Sequence, residues 1–128
     1  MINPHALVID DNRNNGEVLA MLLKNSGVSH TMLLSPRNLG EILESLTQID
    51  VVFLDLELPN YSGFDVLKAL QDDPRLIQVP IVAYTVHTSE ANEARAAGFH
   101  SFLGKPLNMQ VFPDQLQRIL SGERVWEY

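Results

Sequence analysis

The sequence predicts an α/β fold in which helices cover both faces of a parallel sheet. Two observations carry this expectation. Short apolar runs alternate with helix-like stretches five times along 128 residues, and two of those runs end in acids: Asp10 and Asp11 close Ala6-Leu7-Val8-Ile9, and Asp55 closes Val51-Val52-Phe53-Leu54. Apolar runs of this length bounded by polar residues read as strands buried on both faces, and their alternation with amphipathic helices is the pattern of βα units. No linker-like tract, low-complexity segment or repeat interrupts them. A chain of this length suits one domain, read as residues 1–128 with a core at 5–120 and a short C-terminal tail at 121–128.

Each element has its own signal. The first strand falls at about 5–10, and the first helix at about 13–26 carries Val18, Leu19 and Leu22 on one face before Gly27 ends it. A second strand at 30–34 leads to Ser35-Pro36, an N-cap followed by the proline favoured at the first helical position. Leu39, Ile42, Leu43 and Leu46 then form an i, i+3, i+4, i+7 stripe. The third strand, 51–55, passes through a turn-rich stretch to Gly63 and a helix facing Phe64, Leu67 and Leu70 inward. A fourth strand spans 81–85. The fourth helix, about 89–97, offers only Ala91, Ala94 and Ala97 and is expected to pack weakly. The fifth strand, 101–103, runs into Gly104-Lys105-Pro106. Pro113 suits a helix start and not an interior, so the last helix is expected from Pro113, after a turn at 108–112.

Nine Lys and Arg against sixteen Asp and Glu leave a net charge of −7. That balance argues against nonspecific binding to nucleic acid or to an anionic membrane, both of which require a basic surface. The absence of cysteine excludes disulfides, thiolate catalysis and cysteine-zinc sites. No apolar run approaches the ~18 residues of a membrane span, and residues 1–5 show no basic leader, so the expected location is the cytoplasm.

Strand ends in an open α/β sheet face the crevice where ligands bind. With the first and third strands adjacent, Asp10, Asp11 and Asp55 converge there, and their repulsion calls for a hard divalent cation.

These acids, Leu58-Pro59 and Gly63 after the third strand, Thr85 closing the fourth and Lys105-Pro106 after the fifth together resemble the receiver domain of two-component response regulators, over residues 5–120. The resemblance implies a flavodoxin-like (βα)5 sandwich with a five-stranded sheet in the order 2-1-3-4-5. It implies that Asp55 accepts a phosphoryl group from a phosphohistidine on a sensor histidine kinase or a histidine phosphotransfer domain. Mg²⁺ would be held by Asp11, Asp55 and the Glu57 main-chain carbonyl, with Asp10 reached through water. Lys105 would meet a phosphoryl oxygen, its bond to Pro106 being cis. Thr85 and Phe102 would form the switch that carries the change to the surface. The chain would then be a phosphoacceptor switch in a phosphorelay, assisting its own phosphorylation and dephosphorylation, and not an enzyme. With no output domain in these residues, it would signal through a downstream protein at the face of the fourth helix, fifth strand and last helix.

Three pocket-rim residues depart from the family pattern or vary within it. Val86 stands where receivers mostly carry Ala or Gly, narrowing access to Asp55, while Glu57 and His87 bear on how water reaches the phosphoryl group and are expected within reach of each other. Rival readings are less well matched. A phosphatase of the haloacid dehalogenase class wants a second Asp where Glu57 stands, and a flavin carrier wants a hydroxyl-rich first loop where Asp11-Asn12-Arg13-Asn14-Asn15 stands. A pseudo-receiver would not keep the full acid set. His5, His30 and His100 lack metal-ligand spacing.

Overall fold

A computed structural model describes residues 3–128; residues 1 and 2 of the expected 1–128 domain lie outside that range. Five parallel strands, β1 (His5–Ile9), β2 (Ser29–Leu33), β3 (Val51–Asp55), β4 (Ile81–Thr85) and β5 (Ser101–Gly104), take the order 2-1-3-4-5. The central strands β3 and β4 are buried along their whole length, as their unbroken apolar runs require. The flavodoxin-like class expected from the sequence is therefore the class observed.

Helices α2 (Leu39–Ser45), α3 (Gly63–Gln71) and α4 (Ala91–Ala97) cover one face, where Leu43, Leu67, Leu70, Ala94 and Phe99 meet Leu7, Val52 and Ala83 of the sheet. Helices α1 (Arg13–Asn25) and α5 (Phe112–Leu120) cover the other, with Leu19, Leu23, Phe112 and Leu116 against Val8, Phe53 and Tyr84. Asn12 caps α1 by accepting from the Asn15 N–H at 3.1 Å, and Ser62 caps α3 through Phe64. Pro113 lies in the first turn of α5, which starts one residue before the expected position.

Several local expectations differ from what forms. Val18 is exposed, and the buried stripe of α1 is Leu19, Leu22 and Leu23, because the i, i+3, i+4 track begins one residue later. Ser35-Pro36 opens a 3₁₀ turn (Pro36–Asn38) before α2, and α4 likewise follows a 3₁₀ turn (Thr88–Glu90). Ala97 is exposed, leaving α4 only Ala91 and Ala94 in the core. The loop after β3 contains a two-residue antiparallel hairpin, Glu57–Leu58 with Tyr61–Ser62, turned by Asn60 at φ 65°.

The largest departure is at the C-terminus. The stretch expected as a tail adds a sixth strand, β6 (Trp126–Glu127), parallel to β5 and paired through Phe102–Trp126 and Leu103–Glu127. Val125 is buried, Trp126 stacks on Phe102 with centroids 5.6 Å apart and planes at 7°, and Tyr128 meets the same ring edge-on at 5.3 Å. Such aromatic pairs contribute about 0.5–1.5 kcal/mol each beyond area burial. Against this, Trp126 Nε1–H is buried without an acceptor among the described residues, a cost of roughly 1–3 kcal/mol.

At Gly63 the chain passes so close to its own loop that an added Cβ would lie 2.8 Å from Leu56 Cα. Backbone cannot rotate aside as a side chain can, so Gly63→Ala is expected to destabilise the fold by about 1–3 kcal/mol. Denaturant melts of the two proteins check this; equal midpoints would show that the loop relaxes freely.

Candidate functional site

The order β1-β3-β4-β5 brings the carboxyl ends of four strands to one crevice, and each delivers one or more polar side chains there. Asp10 follows β1, Asp55 ends β3, Thr85 ends β4, and Lys105 follows β5. Asp10, Asp55 and Thr85 are buried although polar, so each needs partners. Asp10 Oδ1 accepts from the Asn12 N–H at 2.9 Å, and its Oδ2 accepts from both the Tyr84 hydroxyl at 2.6 Å and Lys105 Nζ at 3.1 Å. Asp55 Oδ1 accepts from the Glu57 N–H at 3.0 Å, and its Oδ2 lies 3.4 Å from Lys105 Nζ. The Lys105 ammonium also sits 4.3 Å from the centre of the Tyr84 ring, a cation–π contact in an enclosed place. The Lys105–Pro106 peptide bond is cis.

Asp10, Asp11 and Asp55 each offer a carboxylate oxygen within 4.8 Å of the others. An all-oxygen set of this kind suits Mg²⁺, which binds few protein oxygens and keeps several waters. Both Asp10 oxygens already accept protein hydrogen bonds, whereas Asp11 is exposed and free to turn toward an ion.

Burial is the first reason that the Asp55 carboxyl is pushed up to about 7, and the neighbouring Asp10 carboxylate adds to it while Lys105 opposes both. The Tyr84 phenol is pushed well above its ordinary range, by burial and then by its bond to Asp10, so it stays a donor.

The rim residues come together at one side of the crevice. Thr85 Oγ1 accepts from the His87 N–H at 3.1 Å and donates to Glu57 Oε1 at 3.4 Å, while His87 Nε2 pairs with the same Glu57 oxygen. Val86 between them is 58% exposed. Phe102 lies apart from this group, fully buried beneath Trp126. His5 and His100 bond to nearby hydroxyls and a main-chain carbonyl and take no part.

Sequence reasoning missed Tyr84. Its signal was a phenol in the middle of an apolar strand: a buried hydroxyl needs an acceptor, and the nearest strand-end acceptors are the acids.

The family model of the response regulator receiver domain matches residues 6–117. The chain is 27% identical over 118 residues to the polar-differentiation response regulator DivK of Brucella anthropi, covering 89% of this chain and 94% of DivK. It is 29% identical over 122 residues to Protein RcaC of Microchaete diplosiphon, covering 94% of this chain but only 19% of RcaC. Among solved structures, a response regulator receiver protein from Burkholderia phymatum is 26% identical with a TM-score of 0.79, covering 92% of this chain and 95% of that one. The chemotaxis response regulator CheY4 of Vibrio cholerae, 24% identical with a TM-score of 0.82 over 92% of this chain and 99% of its own, shares the fold.

A carboxyl whose folded pKa lies above its unfolded value binds more protons in the fold than in the unfolded chain, so it favours the fold at low pH and loses that contribution as pH rises. For Asp55 this window runs from about pH 4 to about 7. Metal-free protein is expected to lose stability across it. Asp55→Asn should remove much of that loss and melt higher above pH 7, by about 3–6 °C for each kcal/mol recovered. Thermal melts in chelator at pH 5 and pH 8 check this; parallel pH slopes for parent and variant would contradict it.

Proposed function

We propose that this chain, which belongs to the response regulator receiver domain family, takes up its phosphoryl group on Asp55, in a site completed by Asp10, Asp11, Lys105 and Thr85. One observation carries the assignment: a carboxylate at a strand end with a buried ammonium 3.4 Å away and two further acids beside it. The donor is a phosphohistidine of a sensor histidine kinase or a histidine phosphotransfer domain.

An Asp55 oxygen attacks the phosphorus in line. The new O–P bond forms as the P–N bond to the donor imidazole breaks, and the electron pair returns to that nitrogen. Asp55 attacks as the carboxylate, the form that Lys105 favours and that a bound Mg²⁺ would favour further against the upward push of burial. Lys105, already between Asp10 and Asp55, follows the phosphoryl oxygens with its charge. Mg²⁺, when bound by Asp11, Asp55 and the Glu57 main-chain carbonyl, supplies further positive charge against those oxygens. The occupied oxygens of Asp10 support its reaching the ion through water.

Thr85 then has two acceptors to choose between. Its hydroxyl leaves Glu57 for a phosphoryl oxygen and keeps the His87 N–H as donor. Phe102, on the same face of the neighbouring strand, is the aromatic that responds. The signal leaves through a downstream protein at the face built by α4, β5 and α5. The chain serves as one receiver domain in the cytoplasm, a switch with weak activity on its own phosphoryl group and no nucleic acid as direct ligand. Among the described residues no helix is long and apolar enough to cross a membrane.

Acetyl phosphate with Mg²⁺ is expected to label the parent once, in a base-labile bond, and to leave Asp55→Asn unlabelled; equal labelling of the variant would remove Asp55 from the role. Mg²⁺ at ten times its Kd is expected to add about 1.4 kcal/mol of stability, lost in Asp11→Ala and read from melting temperature. At the rim, Val86→Ala is expected to speed labelling about two- to tenfold, whereas Glu57→Ala mainly changes the rate of phosphoryl loss. Rate constants for both steps decide whether the two residues divide the work in this way.

A further inference from the structure

The face through which the signal is proposed to leave is already covered by the chain itself. Trp126 lies between Phe102 of β5 and the guanidinium of Arg95 on α4, which sits 4.2 Å from its ring centre. Glu127 accepts two bonds from Arg118 of α5, at 2.8 and 2.9 Å, and one from Gln115 at 2.9 Å. The Phe102 N–H donates to the Val125 carbonyl at 2.8 Å, and the Val125 N–H to Ser101 Oγ at 3.0 Å. One short segment thus contacts all three elements of the face.

Its attachment is of a kind that is easily exchanged. Among the described residues, the ladder to β5 is two residues long, Val125 is the one core anchor of the segment, the Arg118–Glu127 bridge is partly exposed, and the Trp126 indole N–H is buried unpaired. The segment is also tied to the acceptor site. Phe102, held on one side by Trp126 and on another by Tyr128, shares a strand face with Gly104, whose register partner is Thr85. A move of the Phe102 ring would break both aromatic contacts at once.

We propose that residues 124–128 are a displaceable cover on the α4-β5-α5 face, released when Phe102 responds to phosphorylation, and that the uncovered β5 edge then accepts an extended segment of a partner protein. The partner segment carries the chemistry of the cover: an aromatic residue to enter between Phe102 and Arg95, followed by an acid for Arg118. Arg95 offers its guanidinium to the partner's aromatic ring, and Arg118, which also bonds Asp114 and Glu123, offers the partner's acid the Nη2 position that Glu127 holds.

The release step rests on Asp55 being the acceptor, and the experiment separates the two. Trp126 is the only tryptophan of the chain, so its emission reports the cover in the intact protein. With acetyl phosphate and Mg²⁺, and uptake read by intact mass, emission is expected to shift to the red and acrylamide quenching to rise several-fold, with no change in Asp55→Asn. Absence of uptake overturns the acceptor assignment and the release with it; full uptake with unchanged emission overturns the release alone. In a second arm, a fluorescein-labelled peptide of residues 122–128 is titrated without phosphorylation. It is expected to bind Trp126→Ala about tenfold or more tighter than the parent, because the competing segment has lost its aromatic anchor, and to bind the double variant Arg95→Ala/Trp126→Ala less tightly than Trp126→Ala. Equal affinity for parent and Trp126→Ala, or no binding to a Trp126→Ala protein that keeps its circular dichroism and melt, overturns the cover. Dimerisation of that variant in sedimentation assigns the edge to a second copy and overturns the partner segment.

Discussion

Lys105 carries its ammonium 3.1 Å from Asp10 and 3.4 Å from Asp55, and without that charge two buried carboxylates would face each other with little solvent to screen them. Burial of an acid is costly, and burial of two side by side more so, unless a cation or a proton intervenes. The fold provides the cation from a third strand end, and the Tyr84 ring and hydroxyl enclose it from below. An acid held in this balance is only partly compensated. A metal, a proton or a phosphoryl group each changes the balance, and each change is felt by the same few side chains.

The parallel sheet makes that arrangement possible. Strands that all run one way bring their carboxyl ends to one edge, and the order 2-1-3-4-5 sets β1, β3, β4 and β5 side by side there. The rim is assembled by the same logic from the loops after β3 and β4, where Glu57 takes both the Thr85 hydroxyl and His87. A hydroxyl engaged by a rim carboxylate must give up that bond before it can serve another acceptor, so in the proposed switch the rim would bear on how readily Thr85 moves.

Asp10, Asp11, Asp55, Thr85 and Lys105 were legible in the sequence because each ends or follows an apolar run, and run ends are the best-defined points of a buried strand. The helices were legible from their 3.6-residue stripes, with errors of one position where two apolar residues adjoin, as at Val18 and Leu19. Tyr84 and the C-terminal strand were not. A tyrosine in an apolar run looks like core until its hydroxyl is located, and Trp126–Glu127 is too short to show a period. What makes it a strand is tertiary: the Phe102 ring to stack on, Arg118 to bond, and an open edge of β5 to pair with.

That short strand also changes how the sheet ends. Open sheets are vulnerable at their margins, where unpaired N–H and C=O groups template further strands from other chains. Here one margin is β2, whose exposed half is the polar Ser29 and His30, and the other is reduced from the four residues of β5 to the two of β6. In the covered form both margins are poor templates, which favours a molecule that stays dispersed when crowded. Uncovering β5 would restore a longer, more adhesive margin, so the form that signals would be the one that most needs company.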